Sequence, residues 1–140
     1  MASVRQRIQG IVTTSLAALG VAGCATSTSD VHSHTHHHET AGLAHQAAPG
    51  QYRLLLEDEV VRLIEFTINP GERDEWHRHP HEAFYVLEGG TIRIELPDGE
   101  AIEATFEAGD VTSHGPWTHR VENIGETRFR AIIFEVVSSE

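Results

Sequence analysis

The sequence predicts an all-β domain, a sandwich or barrel of short strands, over residues 51–140. In this region apolar and β-branched residues alternate with polar ones in short runs, which is the period of a half-buried strand. Gly, Pro, Asn and Asp separate the runs, and no stretch after residue 50 has a convincing helical period. The chain has 140 residues, which gives room for one modest domain. Many short strands between turns are typical of sandwiches and barrels.

The predicted strands follow one another with turn residues between them. The alternation is clearest in residues 91–96, where every second residue is apolar. Asn-Pro-Gly at residues 69–71 and Pro-Asp-Gly-Glu at residues 97–100 have the composition of turns. The predicted strands are Tyr52–Glu57, 60–68, 83–88, 91–96, 102–106, 119–123 and 129–137.

The composition excludes several functions. All ten basic residues are arginine, so no lysine can form a Schiff base with a substrate. The 21 acidic residues give a formal net charge of -11, which argues against a nucleic acid partner because no basic patch could neutralise phosphates. Cys24 is the only cysteine and precedes the predicted domain. This excludes an intrachain disulfide, and it excludes a cysteine nucleophile or metal ligand in that domain.

The first 23 residues are typical of a secretory signal peptide. Two arginines precede a mostly apolar stretch, residues 8–22, that is too short for a transmembrane helix. The stretch ends in Val-Ala-Gly-Cys, which resembles the lipobox of bacterial lipoproteins. The resemblance implies cleavage before Cys24, lipid on its sulfur and membrane anchoring without a span. If the source is Gram-negative, Ala25 favours the periplasmic face of the outer membrane. The alternative is a plain secretory signal that happens to end at a cysteine.

Residues 24–50 are predicted to form a disordered tether. They are rich in Ala, Thr, Ser, Gly and His and contain almost no bulky apolar residues, so they cannot bury a core. A histidine-rich tract lies at residues 31–38, and His45 follows further on. Such tracts bind Zn, Cu or Ni loosely. Metal capture and a solvated spacer are both open for this tract.

The strongest functional signal lies in residues 76–90. Side chains at i and i+2 of an extended chain point to the same face, so His77 and His79 can aim two imidazoles at one point. Glu82 would lie on the same side if its face of the next strand is the inner one. Two imidazoles and a carboxylate suit zinc or a first-row transition metal. His119 is the best candidate for a fourth ligand. The alternative is that these are ordinary polar residues of a surface loop.

The spacing of these residues resembles the two motifs of the cupin superfamily. The matching residues are Gly71-x5-His77-x-His79-x2-Glu82-x6-Gly89 for the first motif, and Gly109-Asp110 followed by His119-x3-Asn123 for the second. The likeness covers about residues 51–137, and it is to the small, single-domain type-2 group, including proteins named for β-alanine degradation. It implies a jelly-roll barrel that holds one divalent metal through His77, His79, Glu82 and His119. Fe(II), Mn, Zn and Ni are all open as the metal. The resemblance also implies a homodimer.

Two departures from these motifs add candidate residues. The usual first motif has three or four residues between its second histidine and its glutamate, whereas here there are two, so Glu82 could be displaced. His81 could then replace it as a ligand or transfer protons beside the metal. A His-Gly-Pro step at residues 114–116 replaces the usual Pro-x-Gly, which adds the imidazole of His114 near the site. Glu82, His81 and His114 are therefore the candidate catalytic residues, with a surface loop as the alternative for His114.

A barrel of this kind would also bind an organic molecule. Four protein ligands on an octahedral ion leave two positions for substrate, water or dioxygen. Trp117 and Tyr85 lie beside ligands in the chain but could face outward. The residues that would line the barrel are apolar, with plain core packing as their alternative role: Phe84, Val86, Ile92, Ile94 and Phe106.

Two functional hypotheses follow. The first is a metal-dependent enzyme (an oxygenase with Fe(II), or an isomerase or decarboxylase with another metal) that acts on a small organic molecule in the cell envelope. The second is a non-catalytic metal- or ligand-binding lipoprotein, for which the histidine-rich tract is the discriminating feature.

Overall fold

The computed structural model of the protein describes residues 41–137. The predicted signal peptide at residues 1–23, the predicted lipidation site Cys24 and the tract at residues 31–38 lie outside the described residues. Residues 41–137 contain no helix that is long and apolar enough to cross a membrane.

Nine strands and one short helix make up this part of the chain. The helix α1 is Ala44–Ala47. The strands are β1 Tyr52–Glu57, β2 Val61–Ile68, β3 His77–His79, β4 Glu82–Glu88, β5 Gly90–Glu95, β6 Ala101–Phe106, β7 Val111–His114, β8 Trp117–Asn123 and β9 Phe129–Val136. The prediction of an all-β domain is confirmed, and all seven predicted strands are present with ends within two residues of the predicted ones.

The strands form two antiparallel sheets. One sheet has the order β1-β2-β9-β4-β7, and the other has the order β3-β8-β5-β6. Strands far apart in the chain are neighbours, as in β2 beside β9 and β5 beside β8. The inner faces of the two sheets meet in one hydrophobic core.

The alternation in the sequence decides which side chains enter this core. On β2, Arg62, Ile64, Phe66 and Ile68 point inward and are buried, while the residues between them are partly exposed. The turn before β6 needs Gly99, whose φ of 88° is in the left-handed region that side chains with a Cβ rarely adopt. The predicted hairpin between β5 and β6 is therefore present.

The folded domain begins earlier than the composition predicts. Residues 41–50, which the sequence analysis places in the disordered tether, include α1 and contact the domain. Ala44 and Ala48 are buried in the core, and the backbone N–H of Tyr52 donates to the carbonyl of Ala48. Alanine is small enough to fill the narrow space beside β1 and β3, so this segment packs without bulky apolar residues. The boundary at residue 51 is corrected to about residue 41.

Candidate metal centre

Strand pairing brings the predicted histidines together. β3 pairs antiparallel with β8, and His77 lies directly opposite His119, with their Nε2 atoms 3.2 Å apart. His79 follows two residues after His77 on the same inward face, while Arg78 between them is exposed. All three imidazoles are buried. Each offers a ring nitrogen within 4.8 Å of the other two, so this group could hold a metal ion.

Glu82 lies beside His79, although only two residues separate the two in the chain. It is the first residue of β4, and it points inward together with Val86. Its Oε1 accepts a hydrogen bond of 2.8 Å from Nε1 of Trp117. Its Oε2 lies 3.1 Å from Nδ1 of His79 but has no hydrogen bond among the described residues. The structure thus places the carboxylate beside the histidines with one oxygen free.

A second carboxylate, which the sequence analysis did not identify, also contacts this group. Glu135 on β9 is fully buried, and its Oε1 lies 2.6 Å from Nδ1 of His79. Its Oε2 accepts a hydrogen bond of 2.6 Å from Arg62, which also donates to Glu57. His79, Glu82 and Glu135 form a further group that could hold a metal ion. The sequence could have indicated this inward position, because every second residue of β9 from Phe129 to Glu135 is on the same face and is buried.

Tyr52 and Asp74 contact the group from its other side. The hydroxyl of Tyr52 donates a hydrogen bond of 2.8 Å to Oδ2 of Asp74, and it lies 3.1 Å from Nε2 of His77. Oδ1 of Asp74 accepts a hydrogen bond from the backbone N–H of Val121. Nδ1 of His77 lies 2.8 Å from the carbonyl of Glu75, which can only accept, so Nδ1 carries the proton. Nothing in the local sequence marks Tyr52, because a strand tyrosine is common.

Burial keeps His77 and His119 neutral. It lowers the pKa of His77 to about 3, with a smaller contribution from the charge of His79. Burial also lowers the pKa of His119, with help from His77 and His79. The same desolvation raises the pKa of Glu82 and raises the pKa of Asp74 to about 7. Burial alone would raise the pKa of Glu135, but its hydrogen bonds to His79 and Arg62 bring that pKa below its usual value.

The donor atoms fit a divalent metal. Neutral imidazoles have the free lone pair that coordination requires. Among the described residues, Oε2 of Glu82 is a buried side-chain atom without a hydrogen-bond partner. Buried polar atoms without partners are rare in folded proteins and point to a missing ion or water. Imidazole nitrogens with carboxylate oxygens are a ligand set suited to Zn, Fe, Mn or Ni.

A mostly apolar cavity adjoins these ligands. Its empty volume is about 380 Å³, part of which is open solvent. Four residues with polar groups are among those that line it, namely Tyr52, His79, Glu82 and His119. The remaining lining residues are Phe66, Phe84, Ile92, Ile94, Trp117, Val121, Phe129, Ala131 and Ile133. The predicted liners Phe84, Ile92 and Ile94 are among them, whereas Val86 is buried in the core and Phe106 packs against it.

The other predicted residues do not all reach the cavity. His81 is exposed and is not among the lining residues. His114 is also exposed, but it lies opposite Glu82 in the sheet, and its ring stacks on Trp117 at a centroid distance of 4.0 Å. Trp117 faces the cavity, while Tyr85 is exposed on the outer face. Trp117 faces inward because its alternation on β8 matches that of His119 two residues later.

Comparison with known proteins agrees with this architecture. The profile of the cupin domain family, Cupin_2, matches residues 64–135. A cupin domain from Bordetella pertussis Tohama I superposes with a TM-score of 0.57 at 22% identity, over 62% of this chain and 92% of that chain. An RmlC-like cupin family protein with a double-stranded β-helix fold from Methanocaldococcus jannaschii gives a TM-score of 0.50 at 15% identity, over 61% and 77% of the two chains. These likenesses show the jelly-roll fold. No curated protein matches the sequence.

Proposed function

Because the chain belongs to the cupin family, we propose that it is a metal-dependent enzyme that acts on a small organic molecule inside its barrel. One observation carries the proposal. Two buried histidines, His79 and His119, and Glu82 with a free oxygen line an apolar cavity that opens to solvent, and His77, which burial holds neutral as it does His119, lies against both histidines. Catalytic sites combine an apolar pocket with a few convergent polar groups of shifted pKa in this way.

The residues of the chain have distinct roles in this proposal. His77, His79, His119 and Glu82 would hold the metal, which when bound would supply Lewis-acid chemistry or, as Fe(II), the chemistry of dioxygen. The indole N–H of Trp117 fixes the carboxylate of Glu82 through Oε1, so that Oε2 faces the imidazole of His79. The aromatic and aliphatic walls would bind the apolar part of a substrate and exclude water. Oxygenase, isomerase and decarboxylase reactions are the candidate reactions.

We further propose that the enzyme works in the cell envelope. The support is the sequence alone, namely the predicted signal peptide and the lipobox-like residues that end at Cys24. A lipid on Cys24 would place the folded domain at the end of a short tether at a membrane surface.

Metal analysis of the full chain tests the proposal. Two variants separate the barrel from the histidine-rich tract: a His77→Ala/His119→Ala variant, and a variant in which the five tract histidines are serine. We expect about one equivalent of tightly held metal in the tract variant and in the wild type, and its loss from the barrel variant. Tight metal that persists in the barrel variant would contradict the assignment, as would a tract variant without metal.

A second candidate function is metal capture without catalysis. The observation in its favour is the attachment of the segment that follows the histidine-rich tract. The backbone N–H of Arg78 donates to the carbonyl of Gly42, and Nε of Arg78 donates to the carbonyl of Ala41. Arg78 stands between the two histidines of β3. Ala41 follows the last tract histidine by only three residues, which is at most about 10 Å of extended chain.

The pH dependence of zinc binding distinguishes the two metal-binding parts. An imidazole binds metal only when neutral, so one of ordinary pKa, near 6.5, loses about tenfold in affinity at pH 5.5. Burial holds the pKa of His77 at about 3, so its ring stays neutral at pH 5.5 and no proton competes there. We expect the tract variant to lose less zinc affinity between pH 7.5 and 5.5 than a peptide of residues 31–38. Titration calorimetry measures both.

The carboxylate of Glu82 is an acid-sensitive ligand of the proposed barrel site. Burial raises the pKa of Glu82, so this group has to release a proton when metal binds at low pH. A Glu82→Gln change in the tract variant should therefore flatten the remaining pH dependence. A barrel site that loses affinity as steeply as the peptide would mean that His77 and His119 are not held neutral.

A further inference from the structure

The cavity has a polar end, where the proposed metal ligands lie, and an apolar end. Glu135 contacts His79 at the polar end. The inward residues that precede Glu135 on β9 line the cavity, namely Ile133, Ala131 and Phe129. At about 3.3 Å per residue, Ala131 lies roughly 13 Å along the strand from Glu135. The cavity therefore extends beyond the proposed ligands by more than the length of one six-membered ring.

The polar groups of the other wall residues are already used within the protein. The hydroxyl of Tyr52 donates to Asp74, and the indole N–H of Trp117 donates to Glu82. The wall residues other than these two and the proposed ligands are apolar. A charged group that entered the apolar end would lose its hydration without gaining a hydrogen bond, which strongly disfavours its binding.

The buried charges near the cavity also disfavour an anion. Among residues 41–137, Arg62 is the only buried arginine, and its guanidinium donates to both Glu57 and Glu135. Glu82 and Glu135 place two carboxylates at the polar end. An anionic substrate would therefore be repelled unless its charge were placed on the metal itself.

Aromatic rings line the apolar end. The ring of Phe129 lies 5.9 Å from that of Phe66 and 5.9 Å from that of Phe106, between centroids. The ring of Phe106 lies 5.4 Å from that of Phe84. All of these rings except Phe106 line the cavity together with Trp117. Their mutual angles of 58° to 74° suit a further aromatic ring, which can meet one of them by its face and another by its edge.

We propose that the cavity binds an uncharged compound built on one aromatic ring, with its metal-binding atom at the polar end and its ring among Phe66, Phe84 and Phe129. Ala131 sets the length of the substituent that fits beyond the ring, because it is the smallest side chain in the wall. The inference rests on the proposed function and names the substrate class of the same site.

Matched phenols test the charge and the ring. Para-methylphenol is compared with para-hydroxybenzoate, in which a carboxylate replaces the methyl group, and phenol is compared with cyclohexanol. Ligand-observed NMR titrations measure all four with the tract variant, zinc-loaded and metal-free, so that the tract holds no zinc. We expect para-hydroxybenzoate to bind at least about tenfold more weakly than para-methylphenol in both states. Cyclohexanol should bind at least about threefold more weakly than phenol. Equal affinities within either pair would overturn the proposed class.

Enlarging Ala131 tests the length limit. We expect Ala131→Leu to weaken the binding of para-propylphenol by at least about tenfold and that of phenol by less than about threefold, because the added carbons occupy the space beyond the ring. Ala131→Val makes a smaller step if leucine prevents folding. Ile132→Leu, on the outer face of the same strand, is the control and should leave both affinities unchanged. Equal losses for the two phenols would overturn the role of Ala131.

The outcomes separate this inference from the proposed function. Zinc retained in the barrel without binding of any phenol would overturn the substrate class and leave the metal site. Failure of the barrel to retain metal, with para-methylphenol still preferred over para-hydroxybenzoate, would contradict the proposed function and leave the preference of the cavity for uncharged rings.

Discussion

Replacing Arg62 by methionine is expected to lower the free energy of unfolding by about 3–5 kcal/mol. Arg62 and Glu135 are both buried and lie 2.6 Å apart between two strands of the five-stranded sheet. Methionine fills much of the same space but leaves the carboxylate of Glu135 without its cationic partner. Urea denaturation at neutral pH measures the loss. Arg93→Met is the matched control, because Arg93 pairs with Glu103 at the surface and should cost no more than about 1 kcal/mol.

The double variant Arg62→Met/Glu135→Leu separates stability from metal binding. Removing both charges together should recover most of the lost stability, since an apolar pair of similar size can replace a buried ion pair. Metal affinity should nevertheless fall by about 10–100-fold, because His79 loses the carboxylate that orients its ring. A double variant that binds metal like the wild type would show that Glu135 serves stability alone.

Gly89→Ala is expected to destabilise the domain by about 2–3 kcal/mol. A Cβ at this position would lie 2.4 Å from the carbonyl oxygen of Phe106 and 3.0 Å from the Cα of Glu107. Both are backbone atoms, so the turn between β4 and β5 or the end of β6 would have to shift. Thermal or urea denaturation measures the effect.

Gly115→Ala is the control for this prediction. Its Cβ would meet no heavy atom within 4 Å, and its φ is not in the left-handed region. The expected change is below about 0.5 kcal/mol. Equal effects at the two glycines would mean that β6 moves freely to accept the methyl group, and that Gly89 is not required by close approach.

The sequence predicted the parts of the fold that depend on local pattern. Alternation identified the inward face of β3 and β4, and with it the convergence of His77, His79 and Glu82. The short spacing between His79 and Glu82 does not displace Glu82 from the site. Because β4 begins at Glu82, its side chain points inward, while His81 before it is exposed. Within β4 the period of two places Glu82 on the same inward face as Val86.

What the sequence did not reveal depends on long-range contacts. Alternation places Glu135 and Arg62 on inward faces of their strands, but only the pairing of β2 with β9 shows that they meet in the core. β7, Val111–His114, is too short and too polar to stand out, yet pairing with β4 makes it a strand. The helix α1 has only four residues, and the buried alanines Ala44 in it and Ala48 after it are informative only once the groove beside β1 exists.

The attachment of the segment at residues 41–43 has a consequence for association between molecules. β3 is the outermost strand of its sheet, and its free side is where a strand of another chain could add. Gly42 and Leu43 already occupy that side, through the hydrogen bond from Arg78 and a parallel bridge. The chain thus covers its own open edge at the strand that carries two of the histidines. Aggregation by strand addition is blocked there, next to the cavity that has to stay accessible.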